Sequence, residues 1–162
     1  MRIEDNSRDF QIVTEDPNQP DILRLLYAGE EFGASLYPAE SNHFLSLNEL
    51  LAPNVLFYVA RDSKYGRPLG TGALVLNGDW AEIKRMWVEP ETRRRGIASA
   101  ILSVMENAAK NTGIKILRLE TGIYNRSALV LYERFGFIQR EPFGEYGPDP
   151  LSVFMEKSLM ND

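Results

Sequence analysis

The stretch EIKRMWVEPETRRRGIASAILSVM, Glu82 to Met105, restricts the possible folds of this chain more than any other. Ile83 to Val88 is rich in β-branched, aromatic and large apolar side chains, the composition of a strand. Pro90 lacks the N–H that a sheet ladder needs, so the strand stops near it. Arg93, Arg94, Arg95 and Gly96 come next. From there Ile97, Ile101, Met105 and Ala108 recur at helical spacing, with Ala98, Leu102 and Ala109 beside them. Gly113 stands where a C-terminal cap belongs. The reading is strand, short basic loop, helix.

Such a helix start is suited to an anion. Its first turn leaves backbone N–H groups unpaired, and the helix dipole adds positive potential. Gly96 has no Cβ to keep a ligand oxygen off the backbone. Guanidinium groups add bidentate contacts to phosphate. An arginine run alone favours a plain exposed basic turn. Small residues at 96 and 98, where phosphates would pass, favour the anion site.

These residues resemble a known family. Arg93-x-x-Gly96-x-Ala98 is similar to the acyl-CoA pyrophosphate loop of the GNAT superfamily of N-acetyltransferases, Gln/Arg-x-x-Gly-x-Gly/Ala. Downstream, Asn125, Ala128, Leu131, Tyr132, Gly136 and Phe137 resemble that family's second block, Asn-x-x-Ala-x-x-Leu-Tyr-x-x-x-Gly-Phe. The resemblance is clear from about Leu56 to Ile138. It implies acetyl-CoA as co-substrate, with Arg93, Arg94, Arg95, Gly96, Ile97, Ala98 and Ser99 around the pyrophosphate. It also implies Met86, Trp87 and Val88 along the pantetheine arm, Met86 and Val88 through backbone groups, and Asn125 and Ser127 on the arm's other side. Asn125 is alternatively a plain helix N-cap.

The resemblance also suggests catalytic roles. Glu82 lies eleven positions before Arg93, the spacing at which some family members carry a glutamate base. Otherwise it is a strand carboxylate paired with Lys84 or an arginine. Tyr132 matches the tyrosine that often donates to the departing sulfur; the alternative is a core aromatic. His43, the single histidine, falls in the region that forms one wall of the family's acceptor cleft. Tyr37, Arg85, Tyr124, Phe143 and Tyr146 are further candidates for that wall, or for packing. Acyl transfer to an amine needs orientation, a polarised carbonyl and a proton acceptor. It needs no protein nucleophile, and no Gly-x-Ser-x-Gly is present.

Composition narrows the classes. With 162 residues, 44% hydrophobic and 25% charged, the expectation is one domain over 1–162 with a real core. A net charge of −5 argues against nucleic acid or an anionic membrane as partner, so the three arginines are a local patch. No cysteine excludes disulfides and a cysteine acyl-enzyme, and one histidine leaves no transition-metal site expected. MRIEDNSRDF contains no apolar run, so no secretion signal is expected and the cytoplasm is the expected location. A homodimer is left open.

Elsewhere, Phe10, Ile12 and Thr14 alternate as a first strand. Asp21 is read as the cap of a helix carrying Ile22, Leu25, Leu26 and Ala28, weakened by Gly29 and Gly33. Ser41 is read as the cap of a short helix ending before Pro53. SLYPAESNH resembles a segment of a bacterial subgroup of the family, without indicating a substrate. Val55–Ala60 and Leu69–Leu76 form a hairpin, and Asn77-Gly78-Asp79 turns into the next strand. Ile114–Glu120 is a buried strand, Asn125 opens a second long helix that Gly136 ends, and Phe137–Arg140 and Leu151–Lys157 are the last strands. The order β-α-α-β-β-β-α-β-α-β-β is α+β, one mostly antiparallel sheet with helices on both faces. The resemblance sharpens this to a mixed sheet splayed between the Glu82 and Ile114 strands. The activity implied is direct acetyl transfer from acetyl-CoA to a primary amine of a small molecule, amino acid or peptide. A non-catalytic acyl-CoA sensor and a protein-lysine acetyltransferase are the alternatives.

Overall fold

Strands form where branched and aromatic side chains cluster. They are β1 (Phe10–Thr14), β2 (Val55–Asp62), β3 (Pro68–Asn77), β4 (Trp80–Val88), β5 (Ile116–Gly122), β6 (Ile138–Arg140) and β7 (Ser152–Ser158). Helices are α1 (Pro20–Leu36), α2 (Leu47–Leu50), α3 (Ile97–Asn111) and α4 (Arg126–Arg134). The structure is a computed structural model and describes residues 9–160. One sheet runs β1-β2-β3-β4-β5-β7-β6, antiparallel at every pair except β4–β5. Two single turns of 3-10 helix, Ala39–Ser41 and Pro90–Thr92, are the additions to the expected order.

The sheet has a core on each face. Ile97, Ile101, Leu102 and Met105 of α3 are at most 2% exposed and pack against Leu74, Ile83, Leu117 and Leu119. Each such side chain contributes about 1.5–3 kcal/mol on burial. On the opposite face Ile22 and Leu26 of α1 and Leu50 of α2 cover Phe57, Val59 and Ala73. Alternation along β4 therefore sends Ala81 and Ile83 towards α3, and Glu82 and Lys84 to the other face.

Two local readings, the helix caps at Asp21 and Ser41, are corrected. Pro20 takes the first turn of α1, where its missing N–H is no loss, so the N-cap is Gln19 and Asp21 sits inside the turn. The helix also runs through both glycines to Leu36. Gly33 is required there by close approach, since a Cβ would fall 2.6 Å from the Phe44 ring and 2.7 Å from Asn42 Oδ1. The short helix α2 is capped by Ser46, not Ser41: Ser46 and Glu49 form a reciprocal capping box, and the Ser41 hydroxyl donates to Asp149 at 2.7 Å.

β3 and β4 are joined by a tight turn at Gly78-Asp79, with Asn77 opposite Trp80. Their register slips between Thr71 and Ala73, so that Arg85 and Met86 face Gly72. This is a β-bulge, and Arg85 has φ +58°. The Thr71 hydroxyl fixes it by donating to the Arg85 carbonyl at 2.9 Å. Gly72 makes room: a Cβ would lie 2.8 Å from Ile101 Cγ2 and 2.9 Å from Met86 Sδ. Gly72→Ala is expected to cost roughly 1–3 kcal/mol by overpacking this junction. Urea unfolding of the variant beside the parent measures it, and an unchanged midpoint would contradict the assignment.

Candidate active site

β4 and β5 pair only from Trp80↔Ile116 to Ile83↔Leu119, although the strands continue to Val88 and Gly122. Beyond that point they separate, and alternate peptide groups on the facing edges have no strand partner. The gap is part of a cleft of about 800 Å³. Its floor is β4 from Ile83 to Val88; its walls are α1, the 41–44 segment, the 93–99 turn and the start of α4.

At one end lies the N-terminus of α3. Its N-cap is Gly96 at φ +79°, a left-handed conformation that side chains disfavour, and no atom lies within 4 Å of where a Cβ would be. No acidic residue offsets the dipole in the first turn. Arg93, Arg94, Gly96, Ile97, Ala98 and Ser99 all line the cleft. Arg93 stacks over Trp87 at 5.0 Å, and its Nε donates to the Val88 carbonyl at 3.0 Å. Arg95 is turned elsewhere: it is not in the lining, and it pairs with Asp9 at 2.7 Å. A phosphate at this end would therefore meet Arg93 and Arg94, with Arg95 committed to the start of β1.

Across the gap, Asn125 holds the N-cap position of α4, but its side chain does not cap. Its amide donates to Thr121 Oγ1 at 3.2 Å, and its Oδ1 is buried with no partner among the described residues. A buried acceptor left unpaired is unfavourable, and an amide N–H from a ligand arm would satisfy it. Ser127, Met86, Trp87 and Val88 line the same stretch. The residues present thus fit a pantetheine–pyrophosphate chain at both its anionic and its amide portions. Tyr132 is 5% exposed and lines the cleft, with no hydrogen bond to its hydroxyl among the described residues. Burial, then the Glu120 charge, raises its pKa, so it keeps its proton.

Past the splay is a cluster of charges. Lys84 Nζ donates to Tyr146 Oη at 2.6 Å, and Tyr146 donates to Glu82 Oε2 at 2.5 Å. Lys84 Nζ also stands 3.6 Å from Glu82. Glu82 pairs with Arg118 inside the closed ladder and is not among the lining residues. Glu120, two residues beyond Arg118, lies past the last paired residue and does line the cleft. Ser152 Oγ donates to Glu120 at 2.7 Å. Burial raises the Glu120 pKa above its ordinary 4.5, against the lowering effect of Ser152 and of His43 and Lys84 nearby. Sequence reasoning missed Glu120. The available signal was a carboxylate closing a strand of buried leucines, but nothing local shows where the ladder opens.

Of the proposed acceptor wall, Tyr37, His43, Arg85 and Tyr124 line the cleft. Tyr37 stacks on Tyr124 at 5.6 Å and accepts its backbone N–H at 2.9 Å. His43 meets Tyr146 edge-on at 5.2 Å. Phe143 and Tyr146 are not in the lining: Phe143 packs against Trp80, Tyr146 and Phe154, and Tyr146 stands behind His43 holding Glu82.

A folded-state pKa above the unfolded one means that ionising Glu120 opposes folding. Its contribution to stability is fully present below 4.5 and is lost as pH rises through the folded-state pKa. Glu120→Gln, always neutral and still able to accept from Ser152, is therefore expected to be more thermostable than the parent at neutral pH. That advantage should vanish on acidification below about 4.5. Melting curves from pH 4 to 8 test it; a variant less stable than the parent at neutral pH would contradict the burial argument.

Comparison with known proteins agrees with this geometry. The acetyltransferase (GNAT) family pattern matches residues 20–137. The chain is 43% identical over 150 residues to "IAA acetyltransferase" of Azospirillum brasilense, covering 91% of this chain and 97% of that one. It superposes on a candidate acyl-CoA N-acyltransferase of Klebsiella pneumoniae with a TM-score of 0.78 and 32% identity, covering 93% of this chain and 98% of that one. The PaiA N-acetyltransferase of Thermoplasma acidophilum, solved with coenzyme A, shares the fold at TM-score 0.74 and 20% identity, covering 92% and 98%. By family match and by this similarity along almost its whole length, the chain belongs to the GNAT family of acetyltransferases.

Proposed function

We propose that the chain is an acetyl-CoA-dependent N-acetyltransferase that transfers the acetyl group directly to an amine in a ternary complex. The observation that carries this reading is the continuity of one cleft, from the bare N-terminus of α3, past the orphaned Asn125 Oδ1, to the Glu120 carboxylate beyond the closed ladder. Acetyl-CoA supplies the thioester carbonyl that is attacked and the thiol that leaves.

The chain's own residues hold and move the rest. First-turn N–H groups of α3 with Arg93 and Arg94 take the pyrophosphate charge. Asn125 Oδ1 accepts an amide N–H of the arm, and Ser127 lies beside it. The open edge of β4, along Met86, Trp87 and Val88, offers backbone groups that polarise and align. Glu120 accepts the amine proton, directly or through one water, because it faces the cleft and burial raises its proton affinity. Tyr132 keeps a proton on its hydroxyl for the departing sulfur. A second reading of the base is favoured by the 2.5 Å hydrogen bond from Tyr146 to Glu82: Tyr146 then passes its own proton to Glu82 as it accepts one from the amine side, a relay in which the phenol stays neutral because burial and the Glu82 charge hold its pKa up.

Assaying CoA release across a panel of amines tests the activity; tight CoA binding with no turnover on any amine would instead support a sensor. Gly96→Val should sharply reduce CoA affinity by calorimetry, since it fills the open approach and strains the N-cap. An unchanged affinity in a folded variant contradicts the phosphate assignment. Glu120→Gln should remove the acid limb of the kcat/KM profile that Glu82→Gln retains if Glu120 is the base, and the pattern reverses if Glu82 is. Tyr132→Phe, which keeps the ring packing, should lower kcat roughly 10- to 100-fold, at or below the usual range for general acid–base catalysis. Parent-like rates in Tyr132→Phe would remove the tyrosine from the mechanism. With no cysteine in the chain, mass spectrometry after acetyl-CoA addition alone should find no acetyl adduct that an amine discharges.

A further inference from the structure

One strong charge in the cleft has no part in that mechanism. Arg85 sits at the β4 bulge with its side chain 5% exposed, and it lines the cleft. Its Nη2 donates to Glu30 of α1 at 3.0 Å and more weakly to the Leu26 carbonyl at 3.5 Å. Nε and Nη1 have no hydrogen-bond partner among the described residues. Glu30 is itself 45% exposed, so water competes for the pair. Within the protein the guanidinium is therefore only partly satisfied, its free N–H groups open to the cleft, and its planar fork suits a carboxylate. The Glu30 carboxylate on Nη2 shows which ligand chemistry the fork accepts.

The surroundings point the same way. The Arg85 guanidinium stacks over Phe44 at 5.2 Å. Next in sequence to Phe44 is His43, which packs on Tyr146, the donor to Glu82. Next to Arg85 on the strand is Lys84, which reaches the same Tyr146. The acceptor end of the cleft therefore has a cationic pole at Arg85 on β4 and an anionic pole at Glu120 on β5, both in the lining. Phe32 and Phe44, 41% and 40% exposed, give its mouth an apolar rim.

We propose that the acceptor is a free amino acid with an apolar side chain, its carboxylate bound by the Arg85 fork in place of Glu30 while its amine meets the Glu120 pole. This rests on the N-acetyltransferase reading above. Peptide N-termini lack a carboxylate at that distance from the amine and are disfavoured.

The test pairs L-phenylalanine, L-leucine and L-methionine with their carboxamides as acceptors for the full chain and acetyl-CoA. The amino acid of a pair is expected to exceed its amide in kcat/KM by at least about tenfold, mainly through KM, as a charged hydrogen-bonded pair allows. Arg85→Met should bring that ratio close to 1, and Glu30→Gln should lower KM for the amino acid. Amides used as well as acids, or a ratio that survives in Arg85→Met, would overturn the proposal. So would turnover confined to amines without a carboxylate, which would leave the N-acetyltransferase reading standing. If no amine is acetylated, that reading fails, and calorimetry still decides this one. Tighter binding of N-acetyl-L-phenylalanine than of its amide, lost in Arg85→Met, supports the carboxylate site; equal binding overturns it.

Discussion

Two parallel strands part company at the centre of this sheet, and the site exists because they do. β4 and β5 exchange hydrogen bonds as far as Ile83↔Leu119 and then separate while remaining extended. Backbone N–H and C=O groups turned into a partly buried gap need partners. Closing the ladder would have supplied them, and the bulge at Arg85, pinned by Thr71 and accommodated by Gly72, bends β4 away. In the function proposed here an extended ligand arm supplies them instead. Asn125 Oδ1, orphaned beside the same gap, marks the other bank. Hydrogen-bonding capacity that would otherwise stabilise the sheet is thus held for a ligand, and the two apolar cores on either face keep the split sheet together.

The charges next to the gap are arranged by the same opening. On the side of the sheet away from α3, Glu82 lies within the closed ladder and finds internal partners in Tyr146 and Lys84. Glu120, past the last pair, has a single neutral donor in Ser152 and meets the cleft. A buried carboxylate without a full counter-charge leans towards its protonated form, which opposes stability at neutral pH and suits proton transfer. The difference between the two glutamates is therefore positional: Glu82 on β4 stands opposite Arg118 inside the closed ladder, and Glu120 on β5 stands two residues beyond Arg118, where the ladder is open.

The parts of this arrangement that are local were legible in the sequence. Strand, basic turn and helix from Ile83 to Asn111, and the block from Asn125 to Phe137, carry backbone chemistry encoded in short spacings, so the fold and the bare, glycine-capped start of α3 could be read. Arg95 was misplaced because three adjacent arginines look alike in a sequence. Only the φ of +71° at Arg94 and the ion pair with Asp9 separate them. The acceptor end was less legible for a topological reason. It is assembled from α1, the 41–44 segment, the bulge of β4 and the end of β5, and no spacing rule links those segments. Aromaticity leaves Phe143 and Tyr146 open between wall and packing; contacts with Trp80, Phe154 and Glu82 place them in the packing.

That dispersion has a mechanical consequence for α1, which forms one wall of the cleft. If a ligand carboxylate takes Arg85 from Glu30, the helix loses an ion pair in the middle of its span, yet three other constraints hold it. Its first turn is tied to β2 by Asp21 on Arg61 at 2.9 Å, where Glu15 from the preceding loop also binds. Arg24 reaches Glu89 at the end of β4, 3.3 Å away. Ile22, Leu25 and Leu26 are at most 6% exposed, and their burial outweighs one half-exposed ion pair by several kcal/mol. Exchange of the Arg85 partner is therefore a local event, in which Glu30 returns to water and the helix stays docked. If Arg85 binds an acceptor carboxylate as proposed, the wall releases its internal carboxylate and admits the external one without opening the core, and acceptor recognition is then separable from the stability of the sheet.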